Sequence, residues 1–295
     1  MPAPADSIPV IDRLSAIADR YDGFILDLWG VLHDGVRPYP GAVDALRQLK
    51  RRGKRVVILS NGPRRAADVA RRTGEIGIGA ELYDHLHSSG EETWRLLKER
   101  SDPAFAALGR RVFPLVPGRD RNLLDGLDLV TVGSPVDAEF MLVTGLADDG
   151  ETVADYEESL SAGAGLRRPM VCANPDLEVI RDGVRELCAG ALALRYEALG
   201  GPVHYVGKPH PAVYRRCLAR FAGIAPSRLL AVGDSLRTDI AGARGVGIDS
   251  LLVTGGIHAD ELAGAGGSHP DPARLAAACA RAGEWPTYAI AGFAW

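Results

Sequence analysis

Lysine is scarce in this chain of 295 residues: Lys50, Lys54, Lys98 and Lys208 are the whole set, and the rest of the 34 basic side chains are arginines. Basic residues are themselves outnumbered by 38 acidic ones, for a formal charge of −4. No positive excess is left to track a phosphate backbone, which sets nucleic acid aside as a partner. Cysteine is equally sparse. Cys172, Cys188, Cys217 and Cys279 lie far apart, with no Cys-x-x-Cys pair and no histidine at zinc-ligand spacing, so they are read as reduced, half-buried thiols. No apolar run approaches the ~20 residues of a spanning helix. Met1–Val10 also lacks the basic stretch and apolar stretch of a secretory leader, so the expected compartment is the cytoplasm, without a membrane partner. What remains is an ordinary globular composition, 46% hydrophobic and 24% charged, long enough for two domains.

Short apolar runs alternate with helical patterns, the mark of βαβ units around a parallel sheet. Strands are predicted at Phe24–Leu28, Val56–Leu59, Val203–Val206, Leu229–Val232 and Ser250–Val253. Val43, Leu46 and Leu49 share one helical face, as do Val213, Cys217, Leu218 and Phe221, with Pro211 suited to a first turn. The middle of the chain has its own α/β pattern, with strands predicted at Val112–Val116, Leu127–Val132, Phe140–Val143 and Met170–Ala173 and a helix over Thr152–Ser161. Ala263–Gly267 reads as a loop, and Asp271–Pro272 as a helix start.

Four of the predicted strands end in residues with chemistry. Phe24–Leu26 delivers Asp27 where open α/β sheets place their sites, although an Asp there also serves as a turn former. Val56–Leu59 runs into Ser60-Asn61-Gly62-Pro63, where a hydroxyl and successive N–H groups meet a helix start; the same residues also make a plain turn. Tyr205-Val206-Gly207-Lys208 brings one of the four lysines to a strand end, as a point charge for a phosphoryl group or as a solvated loop residue. Leu229–Val232 is followed by Asp234 and, five residues later, by Asp239. Helix capping explains either one alone, but carboxylates converging on one sheet edge repel unless a cation lies between them, and oxygen ligands suit Mg²⁺.

Taken together, in this order, the four segments resemble those of haloacid dehalogenase superfamily hydrolases of the NagD-like, p-nitrophenyl-phosphatase-like subfamily. Gly207-Lys208-Pro209 and Gly233-Asp234-Ser235-x-x-Thr238-Asp239-Ile240 carry most of the likeness. Cys172-Ala173-Asn174-Pro175-Asp176 and Cys188-Ala189-Gly190 are similar to the subfamily's cap signatures. The resemblance implies a doubly wound parallel-sheet (Rossmann-like) core, residues 1–83 and 204–295, with an α/β cap inserted at 84–203. It also implies an Mg²⁺-dependent phosphatase of small phosphorylated metabolites and a homodimer paired through the caps. Asp27 becomes the nucleophile. Mg²⁺ is held by the Asp27 and Asp234 carboxylates, the backbone carbonyl of Trp29, and Asp239 as ligand or support. Ser60, Asn61 and Lys208 hold the phosphoryl group, and Asn174 and Asp176 face it from the cap.

One position departs from the family. Its first motif is Asp-x-Asp, the second carboxylate acting as general acid and base, and here that position is Trp29. Indole offers no proton for transfer at neutral pH, and general acid–base help is worth about 10²–10⁴-fold. Four readings follow. His33, Asp34 or a cap group such as Asp176 replaces the acid; the leaving group is an acyl, enol or aryl oxygen that needs no proton; the chain binds a metabolite without turnover; or, since halide leaves unprotonated, it is a 2-haloacid dehalogenase.

Overall fold

The computed structural model describes residues 8–148, 150–264 and 269–295. Of the sequence expectations, most of the Met1–Val10 leader reading and the 265–267 part of the predicted loop lie outside these residues.

The chain opens with strands Val10–Ile11 (β1), Gly23–Leu26 (β2), Arg55–Ser60 (β3) and His85–Ser88 (β4). It then builds a second body from Arg111–Leu115 (β5), Val130–Thr131 (β6), Phe140–Val143 (β7), Met170–Cys172 (β8), Glu178–Arg181 (β9), Val184–Leu187 (β10) and Val203–Tyr205 (β11). Leu229–Gly233 (β12), Asp249–Val253 (β13) and Tyr288–Ile290 (β14) return to the first body. The core sheet runs β1-β14-β13-β12-β2-β3-β4, all parallel. The cap sheet runs β11-β8-β7-β5-β6, also parallel, with β9–β10 as a separate antiparallel hairpin.

The apolar runs explain the core. Gly23–Leu26 and Leu229–Gly233 are buried at every residue, as strands covered on both faces must be. Helix Ala42–Arg51 turns Ala42, Ala45, Leu46 and Leu49 onto one face, with Asp44 in its first turn and Lys50 and Arg51 in its last, matching the helix dipole. Helix Pro211–Leu218 covers the other face through Val213, Tyr214 and Cys217. β2 lies between β12 and β3, so their carboxyl ends bring three loops to one edge.

Two strands cross the expected boundaries. His85–Ser88 pairs with β3, carrying the first core segment past residue 83, and Val203–Tyr205 pairs with β8 in the cap sheet instead of the core. Neither shift has a hydrophobic signal: His85-Leu86-His87-Ser88 has one apolar residue in four, and Val203-His204-Tyr205 suits either sheet. The predicted strand Leu127–Val132 contracts to Val130–Thr131. The segment predicted as helix Thr152–Ser161 starts as a 3₁₀ turn, Val153–Tyr156, closed by a Thr152–Asp155 capping box, and becomes α-helical at Glu157. All four cysteines are buried, where half-burial was expected, because each lies on or beside an element packed into a core. No helix of the described residues is long and apolar enough to cross a membrane.

Candidate active site

At the end of β2, Asp27 is 8% exposed. Its Oδ1 accepts the Leu28 N–H at 2.8 Å and lies 2.6 Å from Lys208 Nζ. The same ammonium donates to Asp239 Oδ1 at 2.8 Å, and the Ser235 N–H donates to Asp239 Oδ2 at 3.2 Å. Asp234 Oδ2 accepts the Ile257 N–H at 2.7 Å. One carboxylate oxygen each from Asp27, Asp234 and Asp239 fall within 4.8 Å of one another. Three buried carboxylates thus face one lysine, itself 1% exposed.

Burial pushes the Asp27 and Asp234 carboxyls up, and neighbouring carboxylates raise both further. Burial opposes the Lys208 charge, but Asp239 and Asp27 outweigh it and hold the ammonium protonated. The donor set fits a divalent cation. All the donors are oxygens, and among the described residues Asp27 Oδ2 and Asp234 Oδ1 accept no hydrogen bond. Space is kept beside them by glycine: a Cβ on Gly30, whose φ is +74°, would come within 1.8 Å of Asp234 Oδ2.

The loop after β3 supplies the neutral side. Ser60 and Asn61 are each 2% exposed, and the Ser60 Oγ accepts the Gly62 N–H at 3.1 Å. Asn61 Oδ1 accepts the Lys208 N–H at 2.7 Å, and Asn61 Nδ2 donates to the Lys208 carbonyl at 3.2 Å. Nδ2 also donates to Asp176 Oδ1, across the core–cap gap, at 2.9 Å. Asn174 Oδ1 accepts the Asp176 N–H at 3.1 Å, shaping the cap loop. Of the side chains selected from the sequence, all but Asp34 line two clefts that meet at Asp27 or stand directly behind them.

The Trp29 ring is edge-on to His33, with centroids 5.0 Å apart, and lies under the Arg181 guanidinium of the cap hairpin at 5.0 Å. It walls the cleft. His33 is 4% exposed, its Nδ1 accepts the Gly35 N–H at 2.9 Å, and burial lowers its pKa to about 4. Asp34 points elsewhere: its Oδ1 accepts the N–H groups of Val36 and Arg37, which with the Arg37 side chain hold it below the usual carboxylate range despite some burial.

Several cap–core contacts escaped the sequence reading, among them the following. Arg64 Nε lies 3.0 Å from Asp120 Oδ1, Asn122 donates to Asp68, Arg237 donates to the Pro175 carbonyl, and Arg37 Nη2 is 2.8 Å from Asp182. The hairpin that carries Arg181 did leave a signal. Asp182-Gly183 sits between two alternating segments, and both residues have positive φ, as a tight two-residue hairpin turn requires. The clefts hold about 170 and 180 Å³, the larger lined by Asp27, Asp234, Arg237 and His258, the other by Trp29, Arg64, Arg119 and Arg181.

Residues 24–130 match the family model for haloacid dehalogenase-like hydrolases, and residues 205–281 match a second one for HAD-hydrolase-like chains. Human chronophin is 33% identical over 83% of this chain and 84% of its own. A solved hydrolase of the haloacid dehalogenase-like family from Brucella suis 1330 is 32% identical, covers 96% of this chain and all of its own, and superposes with a TM-score of 0.82. Glycerol phosphate phosphatase Rv1692 from Mycobacterium tuberculosis, solved in complex with magnesium, is 26% identical over 82% of this chain and 70% of its own, with a TM-score of 0.61. The chain belongs to the haloacid dehalogenase-like hydrolases, with Asp27 where its two clefts meet and Lys208 directly behind it.

Proposed function

We propose that the chain is an Mg²⁺-dependent phosphatase that hydrolyses an ester or anhydride of a small phosphorylated metabolite through an aspartyl-phosphate on Asp27. The observation that carries this reading is the single ammonium of Lys208, held 2.6 Å from Asp27 and 2.8 Å from Asp239 among three buried carboxylates. That balance of charge suits a site that takes up an anion together with a cation. Membership of a hydrolase family and the phosphatase names of the relatives agree with it.

Asp27 attacks the phosphorus from the sheet edge, forming one covalent intermediate in place of a single harder displacement. Ser60, the N–H of Asn61 and Lys208 hold the phosphoryl oxygens, and the buried ammonium offsets charge that builds on them. The carboxylates of Asp27, Asp234 and Asp239 and the Trp29 carbonyl are the groups to hold Mg²⁺, which when bound neutralises phosphoryl charge and orients its oxygens. Magnesium in the M. tuberculosis glycerol phosphate phosphatase supports that choice of ion. Asn174 and Asp176 meet the leaving group. Halide displacement would leave the three-carboxylate cluster without a use.

Trp29 favours a second reading, a metabolite-binding protein that has lost turnover. Phosphate release from an alkyl, an aryl and an acyl phosphate, with and without Mg²⁺, separates the two. The phosphatase reading expects Mg²⁺-dependent release that disappears in Asp27→Asn. Turnover that survives Asp27→Asn ends the covalent route, and no release from any substrate, with phosphate still bound, establishes the binding protein.

A further inference from the structure

Resting on the phosphatase reading, we propose that Asp176 of the cap is the catalytic acid and base, protonating the leaving oxygen and then activating water, in place of the carboxylate that Trp29 displaces. The direction of attack comes first. Asp27 approaches phosphorus from the carboxyl end of β2, so an in-line leaving oxygen departs away from the sheet, toward the cap. The proton donor has to stand there.

Three groups were open on the sequence. His33 is neutral at physiological pH, and its Nδ1 is committed to the Gly35 N–H at 2.9 Å. A neutral imidazole has no readily transferable proton. Asp34 lies outside both clefts and is kept ionised by Val36, Arg37 and its own turn. Of the three, Asp176 alone lines both clefts beside Asp27. Its Oδ1 receives Asn61 Nδ2 at 2.9 Å, one hydrogen bond from the phosphoryl-holding loop, which leaves Oδ2 free among the described residues. Its backbone is fixed on both sides: the Asp176 N–H donates to Asn174 Oδ1, the Gly190 N–H donates to the Asp176 carbonyl at 3.1 Å, and Arg237 holds the Pro175 carbonyl.

The groups facing Asp176 set its proton affinity. Lys208, Asp239, Asp27 and Arg237 approach from the core, and Cys172 and Cys188 from the cap. Burial and Asp239 raise its proton affinity, outweighing Lys208, the Asn61 hydrogen bond and Arg237. A carboxyl so placed can carry a proton closer to neutral pH.

The steps balance. As the Asp27 oxygen bonds to phosphorus, the bond to the leaving oxygen breaks and its electron pair takes the Asp176 proton, giving a neutral alcohol. Water then attacks the aspartyl-phosphate from the vacated side. Asp176 takes its proton, the bond to Asp27 breaks, and inorganic phosphate, the Asp27 carboxylate and the protonated Asp176 carboxyl result.

The test measures the rate of leaving-group release in a single turnover, with an alkyl phosphate and with p-nitrophenyl phosphate. Asp176→Asn is expected to slow alkyl release by about 10²-fold or more and p-nitrophenyl release by only a few-fold, since nitrophenolate leaves unprotonated. Wild-type alkyl release should fall as pH rises through the Asp176 titration, and that limb should vanish in Asp176→Asn. Adding Trp29→Asp to Asp176→Asn, which restores an acid on the core side, should recover alkyl release at least about tenfold. Equal slowing of both esters by Asp176→Asn, or none, overturns the proposal and leaves the phosphatase reading intact. A wild type that releases neither leaving group overturns both.

Discussion

The core and the cap are both parallel α/β bodies, but they treat their polar side chains differently. In the core, three of the charged groups at the sheet edge are tied at more than one point: Lys208 to Asp27 and Asp239, Asp239 also to the Ser235 N–H, and Asp27 also to the Leu28 N–H, while Asp234 has the Ile257 N–H. On the cap, Asp176 has one side-chain partner, and Asp120, 2% exposed, meets Arg64 across the gap while Thr144 donates to its other oxygen at 3.3 Å. The core ties most of its site groups within its own body, whereas Asp176 and Asp120 of the cap each take a partner from the core.

That contrast breaks most directly at Lys208. Lys208→Met leaves Asp27 and Asp239 buried against each other with no cation, and removing one partner of a buried pair costs about 3–5 kcal/mol. Phosphatase kcat/KM should fall about 10²–10³-fold, and the thermal midpoint should drop. Activity within tenfold of wild type would show that the ammonium is dispensable and the core less determined than its geometry implies. Gly30→Ala should follow, with a loss of about 10–100-fold, because a methyl there enters the Asp234 carboxylate and a φ of +74° strains any L side chain. Steady-state kinetics across a Mg²⁺ series is the measurement, and an unchanged response to Mg²⁺ would separate the glycine from the cation site.

The core half of this was legible. Asp27, Ser60, Lys208 and Asp234 each follow an apolar run, and such runs announce strand ends on periodicity alone. The cap half was less so. Arg64 and Asp120 are 56 positions apart, and nothing in local patterning links an arginine on one body to an aspartate on the other. The strand His85–Ser88 hid because its two histidines spoil the apolar run, and Val203–Tyr205 was assigned to the wrong sheet because a short strand carries no label for its partner. The Asp182-Gly183 turn is one cap feature that local sequence does announce. Trp29 showed that an acid was missing, but only three dimensions distinguish His33, Asp34 and Asp176 as replacements.

Arg64→Ala addresses the cap side. With the guanidinium gone, Asp120 stays buried without its ion-pair partner from the core, so the cap is held less firmly against the core while Lys208, Asp27 and Asp239 are untouched. KM should rise about tenfold, equivalent to roughly 1.4 kcal/mol, with kcat within about threefold. A fall in kcat at constant KM would instead place Arg64 with the core machinery.

The smallest effect on turnover belongs to His33, a core residue that borders the cleft and acts on stability instead. Burial lowers its pKa from an ordinary 6.5 to about 4, so the folded protein binds this proton more weakly than the unfolded chain does. Its contribution to stability is therefore complete above about pH 6.5, declines as pH falls below that, and levels off below about 4, a loss of about 3 kcal/mol over the window. His33→Asn keeps an oxygen near the position of Nδ1 to accept the Gly35 N–H but does not titrate. Urea unfolding of wild type and variant between pH 4 and 7 should show stability curves that diverge at neutral pH and converge toward pH 4, with the variant the flatter. Parallel curves would mean that His33 already exchanges protons with solvent in the folded state. The wall of the cleft would then be as loosely held as the cap, erasing at that point the contrast between the two bodies.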